Sequence, residues 1–255
     1  MLTHVRALTE VEERHVQLGA VIDLLIYSTD VLDDLQDGDK EDESGLIMNQ
    51  AVMLLPLGLS LLEQLPFERE TIDQIRSIHQ RLLITASLGQ QVDLENRCES
   101  AEQYTEMVRL KSGSLLAMAA LSGAVAAGVY RQKDLVGVEE YSRHLGIVAQ
   151  IYNDIQTIYE IEKKSDFRKK RKTLPTIYML NISDLLIPKY FENKCSLEEL
   201  VENREILANE FKTSGALSFC HFYIELFKKR FIEEIQRHAI YSKHVQLFQK
   251  YIEKE

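Results

Sequence analysis

Apolar residues recur at three- and four-residue spacing along nearly the whole chain, and no convincing run alternates apolar and polar residues with the period of a strand. That pattern confines the fold to packed helices. Eleven glycines and four prolines in 255 residues are too few for a many-turned β protein, and 45% hydrophobic residues supply a core. The periodicity predicts a helix opening at Thr9, with Glu10, Glu12 and Glu13 near its positive end, and stopping near Gly38. Further helices are expected over about 46–65 with a kink at Pro56, 68–96, 100–130 behind a Ser100–Gln103 capping box, and 135–162. Shorter helices follow, one of them opened by a second capping box at Ser196, and 211–231 reads as an amphipathic helix that closes the bundle. No repeat or linker divides the sequence, so residues 1–255 read as a single all-α domain.

Two uncharged stretches, 45–62 and 112–130, raise the question of a membrane span. Asn49, Gln50 and Pro56 in the first, and the Ala, Gly and Ser content of the second, favour helices buried on most sides of a soluble bundle. The opening residues are charged and lack an apolar signal core, which points to the cytoplasm. Cys98, Cys195 and Cys220 are widely spaced and odd in number, and read as reduced thiols. A formal net charge of -10 argues against general nucleic-acid binding.

Four constellations could carry chemistry. Asp30, Asp33, Asp34 and Asp37 crowd one helix end, where like charges at this spacing are unfavourable without a cation. Their oxygens suit Mg²⁺ bridging to phosphate, and the competing reading is a solvated acidic helix end. Gln150, Asn153, Asp154 and Thr157 form a polar stripe on an otherwise apolar helix, so they need partners: a metal–phosphate cluster, or ordinary interhelical hydrogen bonds. Lys111 enters the most apolar segment of the chain, facing a diphosphate or else snorkelling at a bend. Finally, residues 163–172 carry seven positive charges, either a solvated loop or a basic lid over a polyanion.

Taken in order, these pieces resemble the trans-isoprenyl diphosphate synthase (polyprenyl synthetase) superfamily. Asp33-Asp34-Leu-Gln-Asp37 resembles its first DDxxD motif, and Gly89-Gln90-Gln91-Val92-Asp93-Leu94 its GQxxDL helix. Lys111-Ser112-Gly113-Ser114-Leu115 is similar to the K-T/S-x-x-L segment, and Gly146…Gln150…Asn153-Asp154 to GxxxQxxDDxxD. Residues 166–175 resemble the D-L-x-x-x-K-x-T-L-P lid, with Arg171 in place of the lysine. In the second aspartate motif Asn153 replaces the first Asp and Thr157 the last, and the glycine- and lysine-rich motif that holds isopentenyl diphosphate is not found upstream. Either the sequence starts at an internal methionine, without the family's N-terminal helices, or the protein does not use that co-substrate. These departures look like the ComQ-type branch of bacilli, whose members prenylate a tryptophan in the precursor of a competence quorum-sensing peptide.

The resemblance implies an antiparallel helical bundle around a central apolar cavity, and a homodimer. It implies Mg²⁺ bound by Asp33, Asp34, Asp37, Asn153, Asp154 and Thr157, with Asp33, Asp34, Asp37, Lys111 and Asp154 as catalytic residues. Lys111, Gln150, Arg171 and Lys172 would hold the diphosphate of a geranyl or farnesyl chain, and Ser28, Gln90 and Ser112 would line the prenyl pocket. The expected acceptor is the tryptophan of a pheromone precursor peptide. Alternatives are isopentenyl diphosphate in a short-chain polyprenyl diphosphate synthase, a class I terpene synthase, and a non-catalytic helical partner subunit.

Overall fold

The structure, a computed structural model, describes residues 1–37, 44–162, 165–238, 240–242 and 245–249; the side chains of residues 37, 44, 165 and 166 also fall outside it. No described residue lies in a strand. The long helices are α2 (Glu13–Asp37), α3 (Ser44–Leu62), α4 (Arg69–Glu95), α6 (Ser112–Ala126), α7 (Gln132–Tyr159) and α13 (Ala216–Arg237). Shorter ones are α1 (Leu2–Leu8), α5 (Ala101–Leu110), α8 (Ser165–Arg168), α9 (Leu174–Met179), α10 (Leu186–Phe191), α11 (Leu197–Glu202), α12 (Arg204–Thr213) and α14 (Val245–Gln249).

α7 is the central rod. Leu135, Val138, Tyr141, Ile147, Val148, Ile151 and Ile158 are all buried along it, and α6 and α13 pack on its sides. Its first half joins a core with α2, α4 and α6, built on Leu18, Leu25, Leu82 and Met118. Its second half joins a core with α5, α9 and the C-terminal helices, built on Tyr104, Leu174, Phe211 and Ile224. Glycines set the close crossings: a Cβ on Gly146 would lie 2.6 Å from the Cα of Gly113, so α6 and α7 meet backbone to backbone.

Three expectations need correction. Thr9 does not open a helix; it closes α1, whose buried Val5 and Ala7 anchor the N-terminal segment, and α2 begins at Glu13. The helix expected over 100–130 is broken at Lys111, where ψ is -89°, into α5 and α6. Arg143 accounts for the break: its buried guanidinium donates to the Arg109 carbonyl at 2.8 Å, offering that oxygen a partner outside the helix. α3 is not buried on most sides, since Leu46, Met48, Val52, Met53 and Leu57 are exposed, whereas α6 is buried as expected. Among the described residues, and by length and composition alone, two helices, within Glu13–Gln36 and Gly45–Leu62, are apolar enough to cross a membrane.

The capping box at Ser196 forms with Glu199. At α5, Ser100 caps the Gln103 amide, while the Gln103 side chain accepts from Glu99 N–H instead of from Ser100. All three cysteines are free thiols.

Candidate active site

A cavity of about 560 Å³ opens between the C-terminal half of α2, the C-terminal half of α4, the α5–α6 break and the middle of α7. α2 contributes Asp30, Asp33 and Asp34, which share a wall because positions three and four apart stack on a helix. Lys111, Ser112, Gln150 and Asn153 complete the polar lining, and Lys111 reaches the aspartate wall directly. The cavity is lined mostly by polar and charged side chains rather than being the apolar hollow expected. Leu32, Ala86, Leu94 and Leu115 are its apolar contributors, and Gln90, also in the lining, donates from Nε2 to Gln36 Oε1 at 2.9 Å.

Lys111 is the electrostatic centre. Its Nζ donates to Asp33 Oδ1 at 3.0 Å and to Asp93 Oδ2 at 2.8 Å. Burial disfavours its charge, but the Asp93 and Asp33 carboxylates more than offset this and hold the amine above the ordinary lysine range. The opposite wall shows the cost of crowding. Partial desolvation, followed by the charges of Asp33 and Asp34, pushes the Asp30 carboxyl up, against the pull of Lys111.

The second aspartate motif is turned differently from the first. Asn153 is exposed and lines the cavity, but Asp154 is 3% exposed and absent from the lining. Asp154 Oδ2 accepts from Tyr104 Oη at 2.5 Å, and Oδ1 accepts from Gln150 Nε2 at 2.9 Å. Thr157 is also buried, with its hydroxyl donating to the Asn153 carbonyl at 3.1 Å.

Lys163 and Lys164 of the basic segment lie outside the described residues; residues 169–172 sit over the ends of α2 and α4. Lys169 Nζ reaches the Gln36 carbonyl, and Arg171 is buried with Nη1 on the Asp93 carbonyl at 2.7 Å. Asn96, left-handed at φ 54°, ends α4 and pairs with the segment twice: Nδ2 donates to the Lys170 carbonyl and Oδ1 accepts from Lys172 N–H, each at 2.8 Å. Neither Arg171 nor Lys172 lines the cavity. Ser28 also lies off the lining; it is buried and donates to the Ala51 carbonyl at 2.6 Å.

Asp33, Asp34, Lys111, Ser112, Gln90, Gln150 and Asn153 are thus brought together, while Asp154, Thr157, Arg171, Lys172 and Ser28 are not. The Asp37 side chain lies outside the described residues. Missing from the sequence reading are the roles of Asp93, Tyr104, Asn96 and Arg143. Asp93 stood inside the quoted GQxxDL string, whereas Arg143 showed only as a charge three residues before Gly146.

The carboxylates of Asp30, Asp33 and Asp34 and the amide of Asn153 in one lining are the kind of oxygen donors a hard divalent cation takes. Among the described residues, no three carboxylate, imidazole or thiol groups converge to hold an ion alone. Such a donor set fits Mg²⁺ that keeps waters and takes further oxygens from a phosphate.

The sequence profile of the polyprenyl synthetase family matches residues 1–206. The chain belongs to the polyprenyl synthetase family. Tryptophan prenyltransferase ComQ of Bacillus subtilis subsp. natto is 30% identical over 230 residues, covering 86% of this chain and 69% of that one. A second ComQ, from Bacillus subtilis strain 168, is 28% identical, covering 87% and 74%. The geranylgeranyl diphosphate synthase of Sulfolobus acidocaldarius is 31% identical, covering 76% and 67%. A crystal structure of a geranylgeranyl pyrophosphate synthase superposes with a TM-score of 0.83 at 19% identity, covering 98% of this chain and 83% of that one. This family member is accordingly a prenyltransferase with the all-α isoprenyl synthase fold.

Proposed function

We propose that residues 1–255 form one catalytic domain that breaks the C–O bond of an allylic diphosphate, geranyl or farnesyl, and passes the prenyl group to a tryptophan in a pheromone precursor peptide. The carrying observation is that Asp33, Asp34, Lys111, Gln150 and Asn153 line one cavity, with Lys111 bonded to Asp33. The similarity to two ComQ proteins favours tryptophan as the acceptor. In this reading the protein works in the cytoplasm of a competence quorum-sensing system.

Lys111 is poised to pair with the departing pyrophosphate, exchanging a carboxylate for a phosphate oxygen. Leu32, Ala86, Leu94 and Leu115 would receive the prenyl chain, and the allylic cation would be captured when the indole ring attacks the carbon and loses a proton. Asp33, Asp34, Asp37 and Asn153 would hold Mg²⁺, which when bound supplies charge to stabilise the leaving oxygens. Gln150 and Ser112, hydrogen-bonded at 3.0 Å, floor the site. The exposed apolar residues Val52, Met53 and Leu57 on α3, with Ile84 and Leu88 on α4, support a homodimer in which a second copy covers them.

The test is an incubation of purified protein, Mg²⁺ and farnesyl diphosphate with a tryptophan-containing precursor peptide or with isopentenyl diphosphate, read by mass spectrometry. A peptide carrying a prenyl mass is expected. Chain elongation without peptide modification would instead make it a polyprenyl diphosphate synthase, and a released hydrocarbon a terpene synthase. Asp33→Ala should abolish the reaction.

A further inference from the structure

The carboxylate of Asp154 is committed to the protein interior. Tyr104 and Leu174 N–H both donate to Oδ2, at 2.5 and 3.4 Å, and Gln150 Nε2 takes Oδ1. Gln150 in turn accepts from Ser112, and both residues line the cavity. Leu174, the first residue of α9, follows Thr173, directly after Arg168–Lys172, the C-terminal part of the basic segment. One buried charge therefore bonds the cavity floor, α5 and the root of the basic segment. A carboxylate buried to 3% exposure is tolerated because both oxygens have donors, and turning it outward would strip all of them at once.

We infer that Asp154 is a positioning residue that ties Gln150 to the root of the basic segment, and that it is not a metal ligand. The cavity-facing group of this motif is the neutral amide of Asn153. The metal set is then asymmetric, with its carboxylates on α2 and an uncharged donor on α7. The inference concerns the site of the proposed reaction and rests on that reading only for the behaviour of the metal.

The experiment uses the full chain and needs no organic substrate. Its first arm is limited trypsin digestion at Arg168–Lys172 in the absence of ligand. Its second is isothermal titration of Mg²⁺ into protein with inorganic pyrophosphate. Asp154→Asn should raise the cleavage rate about tenfold, as expected for losing hydrogen bonds to a charged group, and leave the Mg²⁺ affinity within about twofold. Tyr104→Phe keeps the carboxylate and removes one donor, so it should raise cleavage in the same sense even if Asp154→Asn fails to fold. Asn153→Asp should tighten Mg²⁺ binding at least about tenfold without changing the digestion. The inference is overturned if Asp154→Asn weakens Mg²⁺ about tenfold or more, or if trypsin cuts both variants at the wild-type rate. Absence of Mg²⁺ binding by the wild type would count against the proposed reaction, and the digestion arm would still decide the role of Asp154.

Discussion

A Cβ built on Gly89 would fall 2.3 Å from the backbone nitrogen of Lys111, so α4 touches the α5–α6 break backbone to backbone at the residue whose amine faces the cavity. Gly89→Ala cannot be absorbed by a flexible side chain, since the nearest atoms are all main chain. It should cost about 1–3 kcal/mol of stability through overpacking. It should also push Lys111 off Asp33 and lower kcat more than the stability loss explains. Gly45→Ala, with nothing within 4 Å, is the control and should be neutral or slightly stabilising in urea denaturation.

Arg143 supports the same break from the other side. It bonds the Arg109 carbonyl, Ser114 Oγ at 2.9 Å and Glu139 at 2.7 Å, and Glu139 is further paired with Arg81. Arg143→Ala leaves Glu139 paired with Arg81 but strips the Arg109 carbonyl and Ser114 of their donor, and should cost about 1–3 kcal/mol. Arg143→Lys restores the charge but not the three-way fork, so chemical denaturation should place it between the two.

Much of this architecture was legible in the sequence, because α4 and α7 carry strong helical periodicity and Ser196 a complete cap signature. A bend at Lys111 was one of two readings of that lysine, but the helical pattern runs through it and could not decide; Gly89 and Arg143, which pack at the break, are distant in sequence. The inward turn of Asp154 did leave a signal: with Ile147, Ile151 and Ile158 it falls at helical spacing on a buried stripe, whereas Asn153 falls off it. Ser28 likewise follows Val21 and Leu25 on a buried face, which explains why it packs instead of lining the pocket. Hydropathy misjudged α3, because an apolar segment need not be covered by its own chain.

Stability should fall with acid through His79. Its ring is buried, with Nε2 2.9 Å from Ser122 Oγ, and burial pushes its pKa down from 6.5 to about 4. The unfolded chain binds a proton in that interval and the folded one does not, so this contribution is complete above about pH 6.5 and lost as the pH drops toward about 4. The loss is on the order of 3 kcal/mol. Burial shifts His4 in the same direction, so the measurement is a difference: His79→Gln should flatten, without abolishing, the slope of unfolding free energy between pH 4 and 6.5.

The uncovered face of α3 predicts self-association. Met53 is 56% exposed and Val52 54%, so Met53→Lys should leave helicity intact. Placing a charge in an apolar contact should weaken dimerisation at least about tenfold in sedimentation equilibrium. A wild-type chain that stays monomeric at micromolar concentration would remove the homodimer from the reading.

Asn96 combines two functions that substitution can separate. Its left-handed backbone ends α4, and its side chain bonds the basic segment at both Lys170 and Lys172. Asn96→Gly keeps the backbone conformation without steric cost and loses only the two hydrogen bonds, a net of about 1–2 kcal/mol. Asn96→Ala loses the same bonds and adds about 1 kcal/mol for a Cβ in the left-handed region. If the side chain fixes the segment, both variants should be cut faster by trypsin between Arg168 and Lys172. Urea denaturation should then rank alanine below glycine. Equal cleavage of wild type and Asn96→Gly would assign the residue to helix termination alone, leaving Arg171 on the Asp93 carbonyl and Leu174 on Asp154 to hold the segment in place.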